Sequence, residues 1–210
     1  MAATSLRGFP IVGIGASAGG LEAFIQVLSK MPADTGMAFV FIQHLDPTHP
    51  SLSVDIISRA TELKVEEVTD GIRVKPDRVY VIPPNHSMEI IDGVLSLSAR
   101  GAAPSPNMTI DFFFQSLARS EKSRAIGVVL SGTGTDGTLG LSAIKAEGGV
   151  TYAQDPDSAK YQAMPQNGDN IPGGCRPGFA PRRHHQGVVT HCGSSVHGAG
   201  HEQSFFKEVI

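Results

Sequence analysis

A serine, a histidine and an aspartate, Ser17, His44 and Asp136, each stand just beyond an apolar run in this 210-residue chain. A serine hydroxyl is a poor nucleophile at neutral pH. It needs an adjacent base, and the base needs an acceptor that fixes its tautomer. Ser17 as nucleophile, His44 as base and Asp136 as orienter would supply the three parts. The order Ser, His, Asp differs from that of the α/β-hydrolases, but such triads are defined by geometry rather than by order. Backbone N–H groups near Ala18 or Thr133 are candidates for an oxyanion hole. Each residue also has a plain structural reading. Ser17 can be a turn residue, His44 a structural histidine, and Asp136 the cap of a helix starting near Thr138. His49 and His86 read as loop residues, Asp46 as a turn acid and Asp55 as a helix surface acid.

The element that must position Ser17 is Ile11-Val-Gly-Ile-Gly-Ala-Ser-Ala-Gly-Gly-Leu21. Ile11, Val12 and Ile14 form a β-branched strand, the glycines make a tight turn, and Leu21, Phe24, Ile25 and Leu28 have helical spacing through about Met31. Ser17 therefore falls at the tip between strand end and helix start. That position suits a nucleophile with an oxyanion hole beside it. It equally suits anion binding by the N–H groups of a helix start. Gly13-x-Gly15-x-x-Ala18 loosely matches the dinucleotide fingerprint, so a phosphate cradle across Gly13–Gly20 stands as an alternative, as does a plain turn.

Met37–Gln43 is a continuous apolar run, as expected of a strand buried on both faces of a parallel sheet, and it stops at His44. Further strands are predicted at Lys64–Val68, Asp77–Ile82, Arg124–Leu130 and Gly149–Ala153. Helices are predicted at Leu52–Thr61, from the spacing of Leu52, Ile56, Ile57 and Ala60, at Ile110–Ser120, with Phe112, Phe113 and Leu117 inward, and at Leu139–Glu147. Ser87–Ile91 and Val94–Ser98 flank Asp92-Gly93 and read as a hairpin. Strands alternating with helices predict an α/β fold: a doubly wound, mostly parallel, Rossmann-like sheet with a β-hairpin insertion. Ligand sites in such sheets lie beyond the carboxyl ends of the strands, which puts Ser17, His44 and Asp136 on one edge.

Composition narrows the function class. Hydrophobic residues are 40% and the net charge is -3, which gives no sign of a nucleic-acid partner or a membrane-surface partner. No apolar run is long enough to span a bilayer, and the first residues lack a signal peptide's apolar region. The two cysteines, Cys175 and Cys192, both lie late in the chain, so a reducing cytoplasm is the expected location.

Ile-Gly-Ala-Ser17-Ala-Gly-Gly, Gln43-His44 and Leu130-Ser-Gly-Thr-Gly-Thr-Asp136-Gly137 together resemble the three signatures of the chemotaxis protein-glutamate methylesterase (CheB-type) catalytic domain. Pro83-Pro-Asn-His86-Ser-Met, Ala153-Gln-Asp155 and Met164-Pro165 are also similar to its pattern, and the likeness runs from about Phe9 to Pro165. The resemblance implies a Ser-His-Asp triad on a doubly wound sheet, with the roles carried by Ser17, His44 and Asp136. It implies hydrolysis of glutamyl methyl esters on methyl-accepting chemotaxis receptors with release of methanol, and in some members deamidation of receptor glutamines. No metal and no organic cofactor is implied. A non-catalytic receptor-binding domain is the other alternative. Ala18 stands where the family often has threonine, and Thr133 where it often has methionine. Family enzymes usually carry a receiver domain whose phosphorylation in a phosphorelay relieves inhibition; in some relatives the catalytic domain instead begins a fusion with a methyltransferase, and the short leader here resembles those.

The expected organisation is a leader over 1–8, a catalytic domain over 9–165 and a divergent, disordered tail over 166–210. The tail is rich in Gly, Arg and His, and holds His184, His185, His191, His197 and His201 with both cysteines, in a spacing that fits no zinc pattern. A reading-frame slip near Gln166 is one hypothesis for its composition, because a shifted frame with GC-rich codons would restore an amphipathic helix. Sequencing the gene across the Pro165 codon tests it, and the absence of such an alternative frame would end it.

Overall fold

The computed structural model describes residues 8–43, 53–99 and 108–171, together with the backbone of 189–192. The strands are β1 (Ile11–Ala16), β2 (Ala38–Gln43), β3 (Lys64–Glu67), β4 (Ile72–Arg73), β5 (Arg78–Val81), β6 (His86–Ile91), β7 (Val94–Ala99), β8 (Ala125–Val129), β9 (Val150–Gln154) and β10 (Val189–Cys192). The helices are α1 (Gly20–Leu28), α2 (Ser53–Ser58), α3 (Thr109–Glu121), α4 (Thr138–Ala146) and α5 (Ala163–Asp169).

The main sheet has the order β10-β9-β8-β1-β2-β5-β3, and its pairings are parallel except β10 on β9. β1 lies at the centre, with Ile14 opposite Phe41 of β2 on one side and Val128 of β8 on the other. The chain leaves β1 toward β2 and later returns to the other side of β1 with β8. The switch point, where crevices open in folds of this kind, is therefore between β1 and β8.

Alternation along β1 divides the core. Val12, Ile14 and Ala16 pack with Phe24 and Leu28 of α1 and Ile57 of α2, and the rings of Phe24 and Phe41 stack at 4.3 Å. The opposite face receives α3, α4 and α5 through Ile110, Phe113, Phe114, Leu117, Leu141, Ile144 and Met164. Gly13 and Gly15 point to that second face. A Cβ at Gly13 would lie 2.9 Å from Phe114 and 3.0 Å from Leu117, and one at Gly15 would collide with Ile110. These glycines let α3 close onto the sheet. The match to the dinucleotide fingerprint at these two positions thus has a packing cause.

The hairpin of β6 and β7 forms as expected around Asp92-Gly93, and β4 adds a third antiparallel strand. This small sheet lies on α3, where the Ser116 hydroxyl accepts the Ile90 N–H at 3.0 Å. The buried faces of two helices differ from the sequence reading. Phe112 is only half-buried and Phe114 takes the inward place, because α3 buries Ile110, Phe113, Phe114 and Leu117, the i, i+3, i+4, i+7 positions of one helix face. Ile56 is 41% exposed and Ile57 alone of that pair is buried, since α2 is a short helix with one residue per turn against the sheet. Leu52, and the predicted loop after Gln43, lie outside the described residues.

Candidate active site

Ser17 follows β1 directly and is half-buried; Ala18 beside it is exposed. Gly19 takes φ 73° as the N-cap of α1, which explains why glycine occupies the corner. The turn is welded to the loop after β8. The Ser17 N–H donates to the Ser131 carbonyl at 3.1 Å, and the Ser131 hydroxyl donates to the Ala18 carbonyl at 2.9 Å. Gln154, at the end of β9, accepts the Ser131 N–H through Oε1 at 2.8 Å. The Tyr161 N–H donates to the Ser131 hydroxyl at 3.0 Å, and the Tyr161 carbonyl accepts the Gly132 N–H at 3.0 Å. The segments after β8 and β9 thus hold the serine turn from one side.

Gly132 fits between the Ser17 side chain and Met164 of α5. A Cβ there would lie 2.9 Å from Ser17 Cβ and would run into Met164 Sδ. Thr133 is exposed, and among the described residues neither its N–H nor that of Ala18 is taken up by the turn's hydrogen bonds. At the end of β2, Gln43 donates from Nε2 to the Ser17 carbonyl at 3.4 Å. His44, the expected base, and His49 and Asp46 lie outside the described residues. His86, expected in a loop, instead opens β6, because it pairs with Ala99 of β7, and its Nδ1 lies 2.7 Å from the Pro84 carbonyl; Asp55 is on the exposed side of α2, as expected.

Asp136 ends the same loop and is 6% exposed. Sequence reading offered it as a cap for the helix starting near Thr138. It caps a different helix. Its Oδ2 accepts the Ile110 N–H at 3.0 Å and its Oδ1 the Asp111 N–H at 2.8 Å, both from the first turn of α3. The N-cap of α4 is Gly137 at φ 96°, which makes no side-chain cap. The acceptor for α4 comes from Asp111 instead, whose Oδ1 accepts the Gly140 N–H at 2.6 Å. The two aspartates cross-cap each other's helices. Burial pushes the Asp111 carboxyl up to about 6, and the Asp136 charge adds to the rise against the N–H groups of α4 that oppose it. Sequence reading missed Asp111, which sat inside a predicted helix as an ordinary polar residue.

The fold is a doubly wound α/β sheet, with Ser17 on a strand-turn-helix corner at its switch point, joined to the loop that carries the buried Asp136. The chain matches the family model described as CheB methylesterase over residues 12–170, and it belongs to that family. It is 34% identical over 177 residues to protein-glutamate methylesterase/protein-glutamine glutaminase 2 of Pseudomonas syringae pv. syringae, a match covering 82% of this chain and 53% of that protein. It is 32% identical over 155 residues to a putative protein-glutamate methylesterase/protein-glutamine glutaminase of Leptospira interrogans, covering 73% of this chain and 80% of that protein. The crystal structure of the Thermotoga maritima CheB methylesterase catalytic domain superposes with a TM-score of 0.66 at 28% identity, over 76% of this chain and 87% of that one. The chain spans about half the length of the Pseudomonas relative. The family match extends past Pro165 to residue 170, and α5 likewise runs through Pro165 to Asp169. Proline in the first turn of α5 removes no helical hydrogen bond.

No helix among the described residues is long and apolar enough to cross a membrane. Among the described residues there is also no cluster of His, Cys, Asp and Glu that could hold a metal ion. Of the tail, β10 carries His191 and Cys192 opposite Tyr152 and Thr151 of β9, and His184, His185, His197, His201 and Cys175 lie outside the described residues.

Proposed function

We propose that this chain is a serine esterase that hydrolyses glutamyl methyl esters of methyl-accepting chemotaxis receptors and releases methanol. One observation carries the reading: Ser17 stands on its strand-turn-helix corner hydrogen-bonded to the loop that ends in Asp136. In this mechanism His44, next in the chain after Gln43, takes the Ser17 proton as the hydroxyl oxygen attacks the ester carbonyl. Asp136 holds the imidazole in the tautomer that can accept that proton. The N–H groups of Ala18 and Thr133 stabilise the oxyanion. The carbon–oxygen bond to methoxide breaks as His44 returns the proton, and methanol leaves. Water, deprotonated by His44, then attacks the acyl-enzyme and frees the glutamate carboxylate and the serine. The same steps on a glutamine amide would release ammonia, in keeping with the glutaminase name borne by the relatives. The substrate places the enzyme in the cytoplasm, where a phosphorelay and a methyltransferase, as partner or as fused domain, would oppose or regulate it.

The phosphate-cradle reading is disfavoured because Gly13 and Gly15 are filled from above by α3. A fluorophosphonate probe followed by peptide mass spectrometry tests the esterase reading. Covalent label on the Ser17 peptide is expected; an unlabelled, folded protein would count against it.

A further inference from the structure

Asp111 is 3% exposed, and no step of the mechanism above uses it. Its Oδ1 accepts the Gly140 N–H at 2.6 Å, and the N–H groups of Gly137 and Leu139 lie near the carboxyl, while Oδ2 is buried and completes no hydrogen bond among the described residues. A carboxyl oxygen buried this way carries a desolvation cost. The residue's other link is to Asp136: its own N–H and that of Ile110 each hold one Asp136 oxygen, at 2.8 and 3.0 Å. The direction of those two N–H groups depends on where α3 starts. That start is pinned to the first turn of α4 by Asp111, and α4 begins immediately after Asp136 and Gly137. A closed ring of contacts therefore runs from Asp136 to α3, through Asp111 to α4, and back along the chain to Asp136.

We propose that Asp111 is a positioning residue for the Asp136 carboxylate, fixing through the paired helix starts the direction in which Asp136 presents its remaining lone pairs. The inference rests on the reading of Asp136 as the group that orients the base. A small tilt of that carboxylate would misalign the base while leaving the substrate surface untouched, so the effect falls on kcat and not on KM.

The experiment compares Asp111→Ala, Asp111→Asn and Asp136→Asn in the full chain. Methanol release from methylated chemoreceptor gives kcat and KM, and far-ultraviolet circular dichroism gives the folded fraction. Asp111→Ala is expected to lower kcat by about tenfold or more per folded molecule with KM within about threefold. Asp111→Asn keeps an oxygen for the Gly140 N–H and is expected to restore kcat to within about threefold of wild type. A folded Asp111→Ala with wild-type kcat overturns the inference, as does a folded Asp111→Asn as slow as the alanine variant. If Asp111→Ala does not fold, Asp111→Leu, which keeps the bulk without the acceptor, is read the same way. Failure of both to fold beside a wild-type-like Asp111→Asn makes Asp111 a structural residue only and overturns the inference. Full turnover by Asp136→Asn removes the triad reading itself, an outcome separate from any of these.

Discussion

Ser17 and Ser131 are joined through their backbones, the Ser17 N–H donating to the Ser131 carbonyl at 3.1 Å, so that two loops from neighbouring strands move as one. Ser131 adds its side chain to the joint. Its hydroxyl, 1% exposed, donates to the Ala18 carbonyl and accepts the Tyr161 N–H. Ser131→Ala leaves both backbone groups without that partner. The expected loss is about 1–3 kcal/mol of stability, measured as a lower urea midpoint at unchanged slope. Turnover is expected to fall further than stability, because the nucleophile's turn loosens first. An unchanged midpoint would remove Ser131 from the account.

Gly132→Ala probes the space beside the nucleophile. Met164 Sδ is the end of a flexible side chain and can move away from the new methyl group. Ser17 Cβ, at 2.9 Å from it, is tied to the loop and cannot move without displacing the hydroxyl. Overpacking of this kind costs about 1–3 kcal/mol. The distinctive expectation is a kcat that collapses in protein that circular dichroism finds folded at room temperature. Wild-type kcat would mean that the serine turn tolerates displacement.

Asp136→Asn should separate orientation from charge. The amide nitrogen would face one of the two N–H donors of α3 that the carboxylate now satisfies, so a cost of about 1–3 kcal/mol is expected in urea. Loss of the correct imidazole tautomer should lower kcat by about 10³–10⁴-fold, the scale seen when a triad aspartate is replaced. Steady-state methanol release at pH 7 measures it; a loss below about tenfold would point to another orienting group.

Asp111 predicts a pH dependence of stability with an unusual sign. Burial raises its folded pKa to about 6 from an ordinary value of 3.8. Between these values the folded state holds a proton that the unfolded chain has released, so stability from this group falls as pH rises and is restored below pH 4. The whole span corresponds to about 3 kcal/mol. Chemical denaturation of wild type and Asp111→Asn across this range checks it. The wild type should lose stability relative to the variant between about pH 4 and 6, and parallel curves would contradict the raised value.

How much of this was legible beforehand follows from the range of the interactions. Strands β1, β2, β5, β8 and β9 announce themselves as local apolar runs, and the β6–β7 hairpin by Asp92-Gly93. Ser17 and Asp136 stood out because each follows such a run. The inward face of α3 was misjudged by one aromatic, since Phe112, Phe113 and Phe114 are consecutive and only packing against Gly13 and Gly140 selects two of them. The two-residue β4 has no local signal at all and exists by pairing with β7. The cross-capping was hidden for the same reason. Asp136 meets Ile110 and Asp111 across some 25 residues of chain, whereas a cap read from sequence is sought on the helix that follows.

The most direct test of the central claim is methanol release from methylated chemoreceptor by the wild-type chain beside Ser17→Ala. The account predicts release by the wild type and loss of nearly all turnover in a variant whose circular dichroism is unchanged. Release by Ser17→Ala at the wild-type rate, or no release by a folded wild type, would contradict it.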